Sequence, residues 1–116
     1  MDFMMLDLRD TFEFVPTAAR NSREFERAKY TIELLRLNLR DDQKVARREA
    51  YGNYRARLVE FIHRRDSGVA RKRLDLSIAA MGRIAHPTVW WEMKRQHGLI
   101  RELTELFGQA PEALRW

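Results

Sequence analysis

The chain contains no cysteine, which excludes a disulfide framework, an iron–sulfur site, a thiolate zinc site and a cysteine nucleophile. No apolar run approaches the roughly 18 residues that a membrane span needs. The first ten residues carry acids where a signal peptide needs a basic region. We find no internal repeat and no low-complexity tract. We therefore expect a cytoplasmic protein that binds no membrane.

Catalytic motifs are also scarce. The three histidines, His63, His86 and His97, lie at no metal-ligand spacing, and the chain has no HExxH, no GxSxG and no glycine-rich phosphate loop. Arg57 and His63 form an R-x5-H spacing that is similar to that of helical ribonucleases of the HEPN type, although Leu58 stands where those enzymes carry a polar residue. We expect no enzyme, no metal and no cofactor; a nuclease dependent on His63 is the enzymatic alternative.

What the chain has in excess is positive charge. Its 116 residues include 22 Lys and Arg against 17 Asp and Glu, which gives a formal net charge of +5. The stretch Gln43–Leu74 alone holds ten Lys and Arg and three acids, a net charge of +7, so the remaining residues are net acidic. Such an excess indicates an acidic partner: a nucleic acid, an acidic protein surface or an anionic membrane surface. Of these we favour the first two.

Apolar spacing predicts an all-α fold, a four-helix up-and-down bundle with short loops between antiparallel neighbours. The first predicted helix begins between Thr17 and Ser22 and runs to about residue 40. The other three cover residues 43–65, 69–85 and 87–107. The first helix carries its apolar stripe at Phe25, Ala28, Ile32, Leu35 and Leu39. We expect one domain over residues 1–116, with an arm (1–16), a bundle (17–108) and a tail (109–116) that turns again at Pro111.

The structure at two glycines of the bundle remains open at this stage. Gly52 in the second helix indicates either a kink or a close approach by a neighbouring helix, and Gly98 is a possible bend in the fourth. Asp41 and Asp42 are expected as a break and an N-cap.

The arm has two possible structures. Five of its apolar residues fall on even positions, with Asp10 as the exception: Met4, Leu6, Leu8, Phe12 and Phe14. This alternation is typical of an extended arm or of a small hairpin that turns near residues 9–11. A helix with Met4, Leu8 and Phe12 on one face fits nearly as well. We favour an arm that folds back over the basic face; the alternative is an arm that docks on a partner by adding a strand. The predicted partner-binding residues are Phe3, Met4, Leu6, Phe12, Phe14, Trp91 and Trp116.

The basic stretch supplies the predicted nucleic-acid contacts. Arg64 and Arg65 end the second helix, where the helix dipole favours cations, whereas residues 71–73 begin the third, where it disfavours them. Free N–H groups of residues 67–70 would complete an anion site, and phosphate suits arginine. The full predicted set is Lys44, Arg47, Arg48, Arg55, Arg57, Arg64, Arg65, Arg71, Lys72 and Arg73.

Two further interpretations of this stretch are weighed against a plain solvated surface. A helix-turn-helix is disfavoured because the second helix is too long and the third soon becomes apolar. Tyr51 and Tyr54, which alternate with Arg55 and Arg57, could stack unpaired bases, although tyrosines at helical spacing more often lie at the edge of a core.

These observations predict a non-enzymatic, small, basic helical subunit that contacts nucleic-acid phosphates without sequence preference. By architecture alone, such subunits occur in ribonucleoprotein and phage-type assemblies. The alternative is a protein–protein interaction module, an adaptor, inhibitor or structural subunit, whose basic face binds an acidic protein. Either form is expected in a larger complex or a homo-oligomer, and the sequence does not distinguish DNA from RNA.

Overall fold

The computed structural model describes residues 3–38 and 40–116, which form a mostly helical fold with a small sheet. The elements are β1 (Met4–Leu6), β2 (Phe14–Pro16), α1 (Arg23–Leu34), α2 (Asp41–Asp66), α3 (Arg71–Met81), α4 (Pro87–Arg95), α5 (Arg101–Gln109) and a final 3-10 turn (Pro111–Arg115). The chain divides into two compact units, Met1–Arg48 (the N-terminal unit) and Glu49–Trp116 (the C-terminal unit). No helix within the described ranges is both long and apolar enough to cross a membrane.

The arm is a β-hairpin. β1 and β2 pair antiparallel with Met5 opposite Val15, so the alternative of an arm helix is wrong. Because strand side chains alternate between two faces, the side chains at even positions of β1 and β2 all point toward the core. The buried arm residues are Met4, Leu6, Leu8, Phe12 and Phe14. They form the core of the N-terminal unit, where α1 packs against β2.

Asp7 organises the turn of this hairpin. One of its carboxylate oxygens accepts the backbone N–H of Arg9 at 3.1 Å, and the other accepts the Thr11 hydroxyl at 2.9 Å. Burial alone would raise the pKa of Asp7, but the hydrogen bonds from Thr11, Arg9 and Asp10 outweigh it and lower that pKa below its ordinary value. The turn therefore lies where the sequence predicts it, near residues 9–11.

Helix α1 begins as predicted and ends early. The Ser22 hydroxyl accepts the N–H of Phe25 at 3.1 Å and caps the first turn. The helix ends at Leu34 rather than near residue 40, and turns follow it. These turns bring the Asn38 side-chain amide to Phe14, where its oxygen accepts the backbone N–H at 2.7 Å and its nitrogen donates to the carbonyl at 2.8 Å. The predicted stripe is partly wrong, since Leu35 is exposed; its last member, Leu39, lies outside the described residues.

Helix α2 runs without a break through Gly52, and nothing lies within 4 Å of where a Cβ would be. A close helix approach at this glycine is therefore wrong. Asp41 and Asp42 form the first turn of α2 instead of breaking the chain, where acids suit the positive end of the helix dipole.

The C-terminal unit carries the rest of the helices. Helix α3 ends at Met81, short of the predicted residue 85, and the predicted fourth helix is two helices, α4 and α5, separated at residues 96–100 around Gly98. The predicted turn at Pro111 is confirmed. The largest buried side chains of this unit are Leu58, Phe61, Val89, Glu92, Met93, Leu103 and Phe107.

Candidate nucleic-acid interface

Arg47 is a structural residue and not the surface contact that the sequence predicts. Only 7% of it is exposed, and its guanidinium donates to the carbonyls of Phe12 at 2.9 Å and Leu37 at 2.6 Å. It also lies over the Phe14 ring, 4.8 Å from the centroid. Burial lowers the pKa of Arg47 below its usual value. The prediction fails because the β-hairpin supplies carbonyls to a cation that the sequence alone leaves facing solvent.

Lys44 and Arg48 also bind the β-hairpin. The Lys44 ammonium pairs with Glu13 at 3.0 Å, and this hydrogen bond together with one to Asp41 raises the pKa of Lys44. Arg48 donates to the carbonyl of Asp10 at 2.8 Å. The start of α2 thus uses its cations to hold the arm, which confirms that the arm folds back over basic residues.

The two tyrosines of α2 lie in the core and cannot stack bases. Tyr51 and Tyr54 are buried, and the Tyr54 ring stacks on Trp90 with centroids 5.2 Å apart. The Tyr51 hydroxyl donates to Glu102, and burial, together with that bond, raises the pKa of Tyr51. Arg55 pairs with the same carboxylate at 3.2 Å. The predicted mixed aromatic and cationic surface is therefore absent from this face of α2.

The cations at the end of α2 have partners within the C-terminal unit. Arg65 donates to Glu112 and to the carbonyl of Gln109, both at 2.6 Å, and so ties the final turn to α2. Arg64 pairs with Glu60 at 2.5 Å but keeps about half of its side chain exposed. The Arg64 guanidinium also donates to the Ser77 hydroxyl at 3.1 Å, but of these two arginines it is the more exposed to a ligand.

In the loop between α2 and α3, three of the four amides that the sequence predicts to be free are bonded within the chain. The N–H groups of Ser67, Gly68 and Val69 donate to carbonyls of residues 63–65 at 3.0 to 3.1 Å. Gly68 adopts a φ of +79°, a left-handed conformation that favours glycine and lets these bonds close the helix end. An anion site here would therefore rest on side chains.

The start of α3 presents three consecutive cations, Arg71, Lys72 and Arg73, which we call the cationic triplet. All three are exposed, and the first turn of α3 contains no acid. Arg71 pairs with Asp75 at 3.0 Å, a contact open to solvent and therefore weak. Within residues 3–38 and 40–116, the side chains of Lys72 and Arg73 make no ion pair.

A groove of about 450 Å³ lies beside the triplet, between α2 and α3. It is lined by Arg57, Glu60, Arg64, Val69, Arg73, Leu76, Ser77 and Ala80. Glu60 pairs with Arg64 and, at 3.7 Å, with Arg57. Because three guanidinium groups and one carboxylate line it, this α2–α3 groove has a net positive charge. It also has an apolar wall, which a prediction made from charge alone misses.

Most of the predicted partner-binding side chains are internal. Four of them, Met4, Leu6, Phe12 and Phe14, are buried in the N-terminal unit and so cannot contact a partner as folded. Trp116 packs edge-on against Phe61, with ring centroids 4.6 Å apart. The exposed members are Phe3 and Trp91, about 40% of each. The predictions for the four arm residues fail because a strand that docks on a partner and a strand of the protein's own core show the same apolar alternation.

The structure and the comparisons add no sign of a known site. Among the described residues, no group of three or more His, Asp or Glu side chains could hold a metal ion. Searches of protein-family models, of curated proteins and of solved structures find no match to this chain. The geometry of the α2–α3 region is therefore the basis on which a function is argued.

Proposed function

We propose that the protein contacts nucleic-acid phosphates through the cationic triplet and the α2–α3 groove. The observation that carries this proposal is the placement of Arg71, Lys72 and Arg73 in the first turn of α3, which contains no acid. The helix dipole disfavours cations at that end by about 0.3–1 kcal/mol each. A placement that costs stability, with no ion pair for Lys72 or Arg73, favours a ligand that brings negative charge.

Phosphate is the anion that best fits these side chains. Arginine presents a planar fork that binds phosphate oxygens in pairs, and Arg64 from α2 and Arg73 from α3 line the same groove. Contacts to phosphates fix position without reading bases, so the proposed binding is independent of sequence. The proposed surface leaves out Arg47 and Arg65, whose guanidinium groups donate to backbone carbonyls. It also leaves out Lys44, Arg48 and Arg55, which belong neither to the triplet nor to the lining of the groove.

The proposal includes a non-enzymatic role as a subunit of a larger ribonucleoprotein or phage-type assembly, with an up-and-down arrangement of the helices and a cytoplasmic location. Exposed Phe3 and Trp91 are the remaining candidates for protein contacts within such an assembly.

The test compares two charge-reversal variants with the same net charge. In the first, Arg71, Lys72 and Arg73 are changed to Glu; in the second, the control, Arg20, Arg23 and Lys29 are changed to Glu. Both sets are exposed, and each reversal replaces three positive charges by three negative ones, so both variants go from +5 to −1. Binding to mixed-sequence oligonucleotides is measured by fluorescence anisotropy at about 50 mM salt, where even weak phosphate contacts are favoured.

The triplet variant is expected to lose at least about tenfold in affinity, while the control loses far less. Unfolding does not explain such a loss, because acids in the first turn of a helix are favoured by its dipole; circular dichroism checks this. Equal losses in both variants would mean that net charge, rather than this surface, drives binding. If the wild type binds no oligonucleotide, the proposal is wrong, and acidic proteins become the partners to examine.

A further inference from the structure

The α2–α3 groove differs from a simple phosphate-binding surface in having apolar side chains beside its cations. Val69, Leu76 and Ala80 line it together with the three arginines, and 66% of Leu76 is exposed. A surface that contacts only phosphates gains nothing from exposed leucine. The groove volume, about 450 Å³, lies within the range of roughly 300–1,000 Å³ that is typical of pockets for small ligands.

We infer that the α2–α3 groove takes an unpaired nucleotide, so that the protein prefers single-stranded nucleic acid to duplex. This inference rests on the proposed function. In a duplex the bases are stacked on one another and present no face to a groove of this kind. An unpaired nucleotide carries an aromatic face and a phosphate on the same unit, which matches apolar and cationic groups on the same wall.

The positions of the cations suit that ligand. Arg57 and Arg64 lie seven residues apart on α2, hence on one face of the helix, and Arg73 of α3 lines the same groove. A guanidinium plane can stack on a base as well as pair with a phosphate. The base would cover Leu76, and the triplet at the end of the groove would hold the neighbouring phosphates. The buried tyrosines of α2 play no part in this stacking.

The test measures affinities for single-stranded RNA, single-stranded DNA and a DNA duplex of the same mixed sequence. Three proteins are compared: the wild type, Leu76→Ser and Leu99→Ser. The two leucines are a matched pair, since both belong to the C-terminal unit and are 66% and 65% exposed, but only Leu76 lines the groove. Neither substitution changes the charge.

The wild type is expected to bind both single strands more tightly than the duplex. Leu76→Ser should weaken single-strand binding by about fivefold or more, as expected for the loss of the apolar side chain that the base covers, with duplex affinity and the salt dependence unchanged. Leu99→Ser should match the wild type. Equal affinity for strand and duplex, or equal effects of the two serine variants, would overturn the inference. If both nucleic acids bind and only the triplet reversal matters, the proposed function holds without this preference; if neither binds, the proposed function itself fails.

Discussion

Replacement of Arg47 by Met should destabilise the N-terminal unit strongly. Methionine keeps the apolar stem and the helix propensity but removes two hydrogen bonds, to the carbonyls of Phe12 and Leu37. Hydrogen bonds to charged groups contribute about 1.5–3 kcal/mol each. Part of that gain is already offset by the burial of the guanidinium, which is the physical cause of its lowered pKa. We therefore expect a net loss of about 2–4 kcal/mol in the free energy of unfolding.

The assay combines guanidinium unfolding, followed by far-ultraviolet circular dichroism, with hydrogen exchange of the β-hairpin amides. The hydrogen exchange assigns the loss to the N-terminal unit. The tryptophans, Trp90, Trp91 and Trp116, all belong to the C-terminal unit, so their fluorescence reports separately on that unit.

Arg48→Met is the matched control, because Arg48 is the next residue of α2 and also binds a hairpin carbonyl, but from an exposed position. It should cost less than about 1 kcal/mol, since exposed contacts contribute little. If Arg47→Met and Arg48→Met have the same effect, Arg47 does not anchor the hairpin, and the reason for removing it from the nucleic-acid surface is lost.

Three other predictions concern the backbone conformation at two glycines and the pH dependence of stability. Gly52→Ala should stabilise the protein by about 0.5–1 kcal/mol because Gly52 lies inside α2 with open space around it, whereas Gly68→Ala should destabilise by about 1 kcal/mol because its φ is +79°; denaturant midpoints check both signs. Asp7 has a lowered pKa in the folded state, so its carboxylate stabilises the fold above the unfolded value of about 3.9 and loses that effect as pH falls through the folded value. The stability difference between wild type and Asp7→Ala should therefore be present at pH 7 and shrink below about pH 4; a difference independent of pH would contradict this role.

The sequence predicts well those features that depend on neighbours in the chain. Ser22 caps α1 and the hairpin turns near residues 9–11 because side chains there bond nearby backbone. Pro111 begins a final turn because its fixed φ suits the first residue of a helical turn. The division of α4 from α5 coincides with Gly98, which the sequence marks as a possible bend.

Features that depend on distant parts of the chain are missed. In the sequence, Arg47 resembles any exposed arginine of a basic run. The carbonyl of Phe12, to which its guanidinium donates, lies 35 residues away in sequence. Arg65 likewise binds Glu112, 47 residues away. Charge counting therefore identifies the basic stretch but not which of its members hold distant parts of the fold, as Arg47 and Arg65 do.

The most direct test of the central claim is the salt dependence of binding for the wild type and for a neutral variant with Arg71, Lys72 and Arg73 changed to Gln. Each phosphate contact on a single strand contributes about 0.7 to the slope of log K against log salt. Loss of three contacts should therefore reduce the magnitude of that slope by about 2. An unchanged slope, with binding still present, would show that the phosphates lie elsewhere on the protein and that the cationic triplet is a solvated surface.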